Sequence, residues 1–488
     1  MKWLYERAHT HRDRLFLNEY SYGDVFTLTI ATAKRLAPHL RGESRIALWA
    51  ENSVSMAIHL FALSALGIET VLLNTNLTER EVTEQLESTG VRTLLMSEKM
   101  AQVWRAQKGA CDIEITDVST CEHSHNQVDR QDLCFSTCID TNFKAISPMH
   151  NDENLGWNPS DEKVFCIINT SATTGKFKSV PVRWLQIEAH VKASANVLGV
   201  EKEDNWLVVL PMFHVSGLSI ILRTLYNGTR TTIREKFSEQ VVLEELKTKE
   251  VTMVSLVPTV LQRIVERIQA PALRAILLGG EFIPMPLLQE CVQRNLPVYK
   301  TYGMSETFAQ STTFSIQEYP NKLASVGYPL QGVSIEIRNP DEEGVGEVWL
   351  SSPMLMKGYL NKEPIKGAFN TDDIGYVDED GFLYLLNRRK DIIISGGENI
   401  YPKEIEDVLY GMNGILECAV IPVSDPKWGQ VPVLCVVTNH SEEDISEYLL
   451  SRLAKYKVPK RMIYFDALPK NSMGKILRQD LIHTVERT

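Results

Sequence analysis

Strand-like runs alternate with helix-like runs through most of this chain, and each strand-like run leads at once into a loop of small and polar residues. Lys163 to Ile168, Trp206 to Leu210, Ala275 to Leu278 and Pro297 to Tyr302 are rich in Val, Ile, Leu and aromatic residues, a composition that suits short buried strands. The loops that follow are TSATTGKFK (Thr170 to Lys178), PMFHVSG (Pro211 to Gly217), GGE (Gly279 to Glu281) and GMSET (Gly303 to Thr307). The alternation predicts α/β layers built on mostly parallel sheets. In such sheets ligands collect beyond the carboxyl ends of the strands, where loops converge and helix N-termini point outward. Four such loops predict one shared cleft.

After Gly344 the pattern becomes β-rich, with Glu347 to Leu350 and Phe382 to Leu386 as strands of a smaller, barrel-like unit. The polar run NRRKD (Asn387 to Asp391) interrupts it, and beyond lie a strand, a helix, two strands, a helix, a strand and a terminal helix, with the loop PKNSMGK (Pro469 to Lys475) near the end. A chain of 488 residues exceeds what one core serves. We therefore expect two domains, 1–387 and 388–488, divided in that polar run. No internal repeat or low-complexity tract is present.

Charge and apolar patterning exclude several classes. With 51 Lys and Arg against 62 Asp and Glu, the net charge of -11 disfavours nonspecific attraction to nucleic acid or anionic lipid. A polyanionic ligand then needs a local cationic site. The longest apolar stretch, Met56 to Leu73, is broken by His59, Gly67 and Glu69, so no membrane insertion is expected. The N-terminus MKWLYERAHT carries charges where a signal peptide needs an apolar centre. The eight cysteines lack a disulfide-framework spacing, which fits a reducing compartment and a cytoplasmic location. Cys121, His123, His125, Cys134 and Cys138 are zinc-ligand types, but their spacing matches no paired-knuckle pattern and the segment is polar and irregular. We read it as a solvated surface excursion.

Thr170 to Lys178 packs four hydroxyls, one glycine and two lysines into nine residues after an apolar strand. Hydroxyls and backbone N–H groups donate to phosphate oxygens while the lysines offset their charge, so the loop suits a polyphosphate; a surface turn is the alternative. It is not a Walker A loop, because Thr170 stands at the first glycine and Phe177 where Ser or Thr must follow Gly175-Lys176. Gly344-Val345-Gly346 has Trp349 at the third glycine of a dinucleotide fingerprint, and HExxH and GxSxG are absent. Tyr302 to Thr307 sets an aromatic at a strand end, then a close-approach glycine, then a hydroxyl and a carboxylate. Such a unit suits a stacked base and a magnesium ion on Glu306; as a bare helix cap, Ser305 and Glu306 fit a first turn equally well.

TSATTGKFK, YGMSET, TDD (Thr371 to Asp373), NRRKD, SGGENIYP (Ser395 to Pro402) and NSMGK stand in the order found in the adenylate-forming superfamily of acyl-CoA synthetases and luciferases, which the chain resembles from about Ser21 to Leu481. The wording LPMFHVSGLS, LLGGE, DIIISGGENIYP and LAKYKVPK is most similar to members that join coenzyme A to an aromatic dicarboxylic acid. The resemblance implies a large N-terminal domain of two doubly wound sheets plus a small β-barrel-like unit, and a smaller mobile α+β C-terminal domain. It implies a ligase that uses ATP, Mg2+ and coenzyme A on a small aromatic carboxylic acid by way of an acyl-adenylate, with no nucleic-acid partner; a homo-oligomer is compatible with it. The alternatives are another aryl- or acyl-CoA ligase, a carrier-loading adenylating enzyme and a non-catalytic nucleotide-binding paralogue.

By the same resemblance Thr170, Ser171, Thr173, Thr174 and Lys178 hold the β- and γ-phosphates, and Gly175 gives the turn. Tyr302 lies on the adenine, Glu306 ligates magnesium, Thr307 meets the α-phosphate, and Asp373 and Arg388 hold the ribose. Lys475, in a mobile loop, sits between the substrate carboxylate and the α-phosphate, where charge accumulates. Asp391 matches the hinge, and Ser395, Gly396 and Gly397 line the pantetheine channel. His214 gates the acyl site beside Gly279, Gly280 and Gly303. Ser216, Ser219 and Arg223 are the candidates to receive a second carboxylate. The chain departs from the family pattern at Ala172, Ser179 and Asp372, each in place of glycine, at Phe177 in place of proline, and at Asn387 in place of aspartate. If residue 172 needs positive φ, alanine there costs about 1 kcal/mol.

Overall fold

The computed structural model describes residues 1–108, 115–117, 134–137, 162–170, 177–281, 283–388, 393–395, 398–425, 428–453, 455–471 and 474–486. Cys121, His123, His125 and Cys138 lie outside them, and of Cys134 only the strand backbone is described. All four expected strands are present, as Val164–Thr170, Asn205–Val208, Ala275–Leu278 and Val298–Tyr302. The last three share a nine-stranded sheet, where they run parallel with Met253–Leu256 between Asn205–Val208 and Ala275–Leu278. Val164–Thr170 belongs instead to a seven-stranded sheet, parallel to Glu69–Leu72 and closed at its edge by antiparallel Lys178–Arg183. The four loops thus come from two sheets rather than one.

Alternate residues of the inner strands enter different cores, as expected when both faces of a sheet are covered. Trp206 and Val208 pack in the central cluster, Leu207 in an outer one. Ile46 and Leu48 likewise face the centre, while Ala47 and Trp49 face outward. The central cluster takes Leu48, Leu72 and Ile168 from one sheet and Val208, Met253 and Leu277 from the other, with the Val54–Ala65 and Val215–Asn227 helices contributing to it. Val54–Ala65 is buried on nearly every side, which accounts for the long apolar run in the sequence. No described helix is long and apolar enough to cross a membrane.

The β-rich unit is a four-stranded antiparallel meander of Ser334–Arg338, Gly346–Ser351, Phe369–Val377 and Leu383–Arg388. A Gly327–Leu383 bridge ties it to the large sheets. The last strand runs two residues into the polar NRRKD segment, because Asn387 and Arg388 still pair with Ile374 and Asp373. Polar side chains do not end an antiparallel strand that is open on one face.

Beyond residue 393 the chain forms a five-stranded sheet. Two short strands, Ile393–Ser395 and Glu398–Ile400, precede the Pro402–Tyr410 helix where the sequence pattern suggested one; they are a hairpin too short to show two periods. Cys418 and Val420 face one cluster with Ile405 and Leu409, and Ala419 and Ile421 face another with Leu481 and Val485. Both clusters draw on residues after 392 and the central and outer clusters on residues before 388; Arg388, expected to open the second domain, still pairs within the meander.

Arg478 fastens the terminal helix to this unit. Its guanidinium donates to both oxygens of buried Glu406, at 2.7 and 2.8 Å, and Glu406 also accepts from Val420 N at 2.6 Å. Bidentate geometry of this kind is strong, and removing one partner strands a buried charge. Arg478→Ala is expected to lower the unfolding free energy of the C-terminal unit by about 3 kcal/mol, measured by urea denaturation; an unchanged midpoint would refute the anchoring role.

Candidate functional site

Thr170 and Lys178 face each other at the end of the Val164–Thr170 and Lys178–Arg183 pair, with Thr170 Oγ1 donating to the Lys178 carbonyl at 3.3 Å. The pairing brings the two ends of the hydroxyl-rich segment together. Ser171, Thr173, Thr174 and Gly175 of that loop, with Ala172, lie outside the described residues. Lys178 is exposed, and its ammonium lies 3.4 Å from the Tyr359 hydroxyl and 4.9 Å over the Tyr359 ring. Tyr359 in turn donates to Glu306 Oε1 at 2.7 Å. One tyrosine therefore joins the lysine of the first motif to the carboxylate of the second. Sequence reasoning missed Tyr359; its only signal was an aromatic in a loop punctuated by glycine and proline.

Tyr302 ends its strand with its hydroxyl donating to the Asp373 carboxylate. Asp373 is 6% exposed and lies opposite Arg388, whose backbone alone is described. The preceding residue, Asp372, has φ +62° within an irregular stretch of pairing between Glu347 and Trp349. The family's glycine position thus does take a left-handed conformation, and Asp372 adopts it with its N–H held by Asn370 Oδ1 at 2.8 Å. Ser179, also at a glycine position, is buried and donates to Asn169 Oδ1 at 2.7 Å.

Ser305–Thr307 is a single 3-10 turn. No longer helix follows, since Phe308 and Ala309 both have positive φ, at 51° and 89°. The helix-cap reading of this motif falls with that observation. Left-handed non-glycine residues cost about 1 to 3 kcal/mol each and cluster at functional sites. Gly303 is required here, because a methyl group on it would run into the Ala309 carbonyl. Thr307 is buried and its hydroxyl shares a hydrogen bond with Ser311 Oγ at 2.8 Å. Gly279 meets a like constraint, as a side chain there would strike the Thr301 carbonyl, and Gly280 has φ +89°.

His214 is the N-cap residue of the Val215–Asn227 helix and makes no side-chain cap bond. Ser216, Ser219 and Arg223 follow on that helix at near-helical spacing. His214 Nε2, Ser216 Oγ, Ser219 Oγ, and Arg223 Nε and Nη1 are all buried and, among the described residues, without a hydrogen-bond partner. Arg223 is 2% exposed, with Nη2 bonded to Gln310 Oε1 at 2.7 Å and near His190 Nε2 at 3.2 Å, and its guanidinium lies 5.0 Å over Trp206. Among the described residues no carboxylate pairs with it. Burial lowers its pKa to about 9, which leaves it cationic at neutral pH, and lowers that of His214 to about 4, which leaves the imidazole neutral. An unpaired buried cation costs several kcal/mol, which an incoming anion relieves. Gln310 and His190 were also missed, although Gln310 lies only three residues past Thr307.

Lys475 sits on a hairpin closed by a Lys470–Ile476 bridge and by Asn471, which donates from N to the Lys475 carbonyl and accepts from Gly474 N, both at 2.9 Å. Gly474, with φ +88°, lies against Thr259 and Glu281 of the large domain. The structure thus brings this hairpin to the GGE loop. Ser395 pairs with Glu398 and Gly429 in the C-terminal sheet; Gly396, Gly397 and Asp391 lie outside the described residues. No group of three or more His, Cys, Asp or Glu suited to a metal occurs among the described residues.

Comparison with known proteins gives the chain's relatives. The sequence profile of the AMP-binding enzyme matches residues 4–360, and that of the AMP-binding enzyme C-terminal domain matches 404–475. The chain is 50% identical to 2-succinylbenzoate–CoA ligase of Lactococcus lactis subsp. lactis (strain IL1403), over 99% of this chain and 100% of that protein. It is 34% identical to the Bacillus subtilis (strain 168) protein of that name, over 98% and 97%. The solved o-succinylbenzoate CoA synthetase from Bacillus subtilis with the acyl-adenylate OSB-AMP superposes at a TM-score of 0.85 with 33% identity, over 98% of this chain and 97% of that one. The same protein with ATP and magnesium ion superposes at 0.85 with 32% identity, over 98% and 99%.

Two stability measurements test the buried polar row. Arg223→Met should raise the unfolding free energy of the free protein by about 1 kcal/mol or more, and a loss would show that the Gln310 and His190 bonds outweigh desolvation. The His214 imidazole is a weaker base folded than unfolded, so its neutral form stabilises above its ordinary value of about 6.5 and that contribution is lost as pH falls toward about 4. His190, lowered in the same direction by burial and by Arg223, adds to the effect. His214→Phe should flatten part of that decline in urea melts taken across the interval.

Proposed function

The chain belongs to the family of AMP-binding enzymes, and from that membership we propose that it joins 2-succinylbenzoate to coenzyme A through an acyl-adenylate, with ATP and magnesium, as a step of menaquinone biosynthesis. The observation that carries the choice of acid is Arg223, a buried guanidinium without a carboxylate partner among the described residues, at the far end of a row of polar atoms, likewise unpartnered among them, that starts at His214. A substrate with a second carboxylate satisfies it, whereas a fatty acyl chain leaves the charge unpaired. Ser216 and Ser219 offer hydroxyls along the way, and neutral His214, at the helix N-terminus, is the proposed gate.

Near the strand ends Lys178 and the hydroxyl-rich loop offset the triphosphate charge. Glu306 is the residue that would hold magnesium. A single hard carboxylate oxygen, steadied by Tyr359, fits an ion that arrives with polyphosphate rather than one caged by protein. Bound there, the ion neutralises charge on the phosphates. Tyr302 supplies a ring for the adenine, Asp373 and Arg388 groups for the ribose hydroxyls, and Thr307 a hydroxyl for the α-phosphate. The substrate carboxylate oxygen attacks the α-phosphorus as the bond to pyrophosphate breaks, and Lys475 donates to the charge that develops between them. In the second half-reaction the coenzyme A thiolate attacks the acyl carbon and AMP leaves, with Ser395, Gly396 and Gly397 along the approach and Asp391 as the hinge between the two arrangements. Domain closure keeps water from the mixed anhydride meanwhile. The cytoplasm is the proposed compartment, in keeping with the free buried thiols of Cys166, Cys291, Cys418 and Cys435.

Pyrophosphate release measured with 2-succinylbenzoate, benzoate and a long-chain fatty acid tests the reading. 2-Succinylbenzoate should give the highest kcat/KM, and Arg223→Met should lower it about a hundredfold, the equivalent of about 3 kcal/mol, while leaving benzoate nearly unaffected. Faster turnover of benzoate or of the fatty acid would overturn the choice of acid, and absence of a thioester when coenzyme A is added would overturn ligation.

A further inference from the structure

The Lys475 hairpin meets the large domain at a definite notch. A methyl group on Gly474 would lie 2.9 Å from Thr259 Oγ1 and 3.3 Å from Glu281 Oε1, so the hairpin backbone sits against these two side chains with room for little more than hydrogen. Thr259 stands in the first turn of the Pro258–Ile264 helix, just past the Met253–Leu256 strand, and Glu281 ends the loop that follows Ala275–Leu278. Both belong to the carboxyl-end face that carries the rest of the site.

Glu281 Oε1 is fully covered and has no hydrogen-bond partner among the described residues. Such an oxygen is costly unless a cation faces it. Two cations do: Lys470 and Lys475 draw the carboxyl back toward ionisation against the burial that raises its pKa to about 7. Lys470 is paired with Glu417 inside its own domain. Lys475 is the other cation, on the hairpin next in sequence to the glycine that lies against Glu281.

We propose that Glu281, assisted by Thr259, is the latch that receives the Lys475 hairpin, a positioning residue that orients this lysine for adenylation and takes no part in thioester formation. The inference rests on the acid–CoA ligase reading above and assigns to the GGE loop a role distinct from lining the acyl pocket. Its selectivity is geometric. The contact exists only while the hairpin lies on the GGE loop, so an arrangement of the domains that withdraws Lys475 also dissolves the latch. The carboxylate is suited to the task because its attraction for an ammonium falls off slowly with distance, whereas the Gly474 contact is made only at the final seat.

The test separates the two half-reactions in the full-length enzyme. Adenylation is followed by exchange of labelled pyrophosphate into ATP with 2-succinylbenzoate, and the thioester step by supplying synthetic 2-succinylbenzoyl-adenylate and coenzyme A. Glu281→Gln should slow exchange at least tenfold in kcat, with the KM for ATP and for the acid changed less than twofold and the thioester step within twofold of the parent. Glu281→Asp should restore part of the lost rate, because the charge returns on a shorter arm. Gly474→Ala, which crowds the notch from the opposite side, should reproduce the Glu281→Gln pattern. Unchanged exchange in Glu281→Gln, or an equal fall in both half-reactions, overturns the latch while leaving the ligase reading intact. A parent enzyme that exchanges no pyrophosphate with any acid overturns that reading and the latch with it.

Discussion

Burial of both faces of the two large sheets governs everything else in this molecule. A strand whose alternate residues enter separate apolar cores, as Trp206 and Leu207 do, has no face on which to present polar chemistry. Polar groups are confined to the ends of such strands, and the loops there must come close without burying unpaired backbone. The glycines at these ends answer that need. Gly279 lets the end of its strand lie against Thr301, and Gly303 lets its strand end lie under the Ala309 carbonyl. The site is a consequence of how the core is covered before it is a collection of motifs.

Against that economy, the Val215–Asn227 helix carries a row of buried polar atoms with no partner among the described residues. It lies in the central core between the sheets, where Leu218, Ile221 and Leu225 pack, and yet it sets Arg223 among them. The cost to the free protein is desolvation of a guanidinium, only partly repaid by Gln310, His190 and the Trp206 ring. Stability of this kind is given up where a ligand completes the set. The left-handed pair Phe308 and Ala309 is a second such cost, starting two residues after the proposed magnesium ligand.

The phosphate end of the site depends on contacts made across the fold. Lys178 belongs to one sheet, Glu306 to a loop of the other, and Tyr359 to the loop between the second and third strands of the antiparallel meander. Only together do they make a cationic and oxygen-rich corner on a chain whose net charge is -11. The hairpin bearing Lys475 closes the arrangement from the small domain, held by Arg478 and Glu406 behind it.

The chain's own pattern of residues determined the layer architecture and the order of strands and loops, because strand periodicity and glycine placement are local properties, and the order of its motifs, through the family resemblance, made Lys178, Tyr302, Glu306, Asp373 and Lys475 candidates. Boundaries moved where local pattern is weak, as at Asn387 and Arg388, which remain paired although polar. The tolerance of Asp372 at a glycine position was not legible, since it depends on an irregularity in strand pairing and on Asn370. Tyr359, Gln310, His190 and Glu281 acquire meaning only through neighbours distant along the chain. Tertiary structure alone decided which polar atoms are buried without partners, because desolvation is a property of the packed whole and no residue carries it by itself.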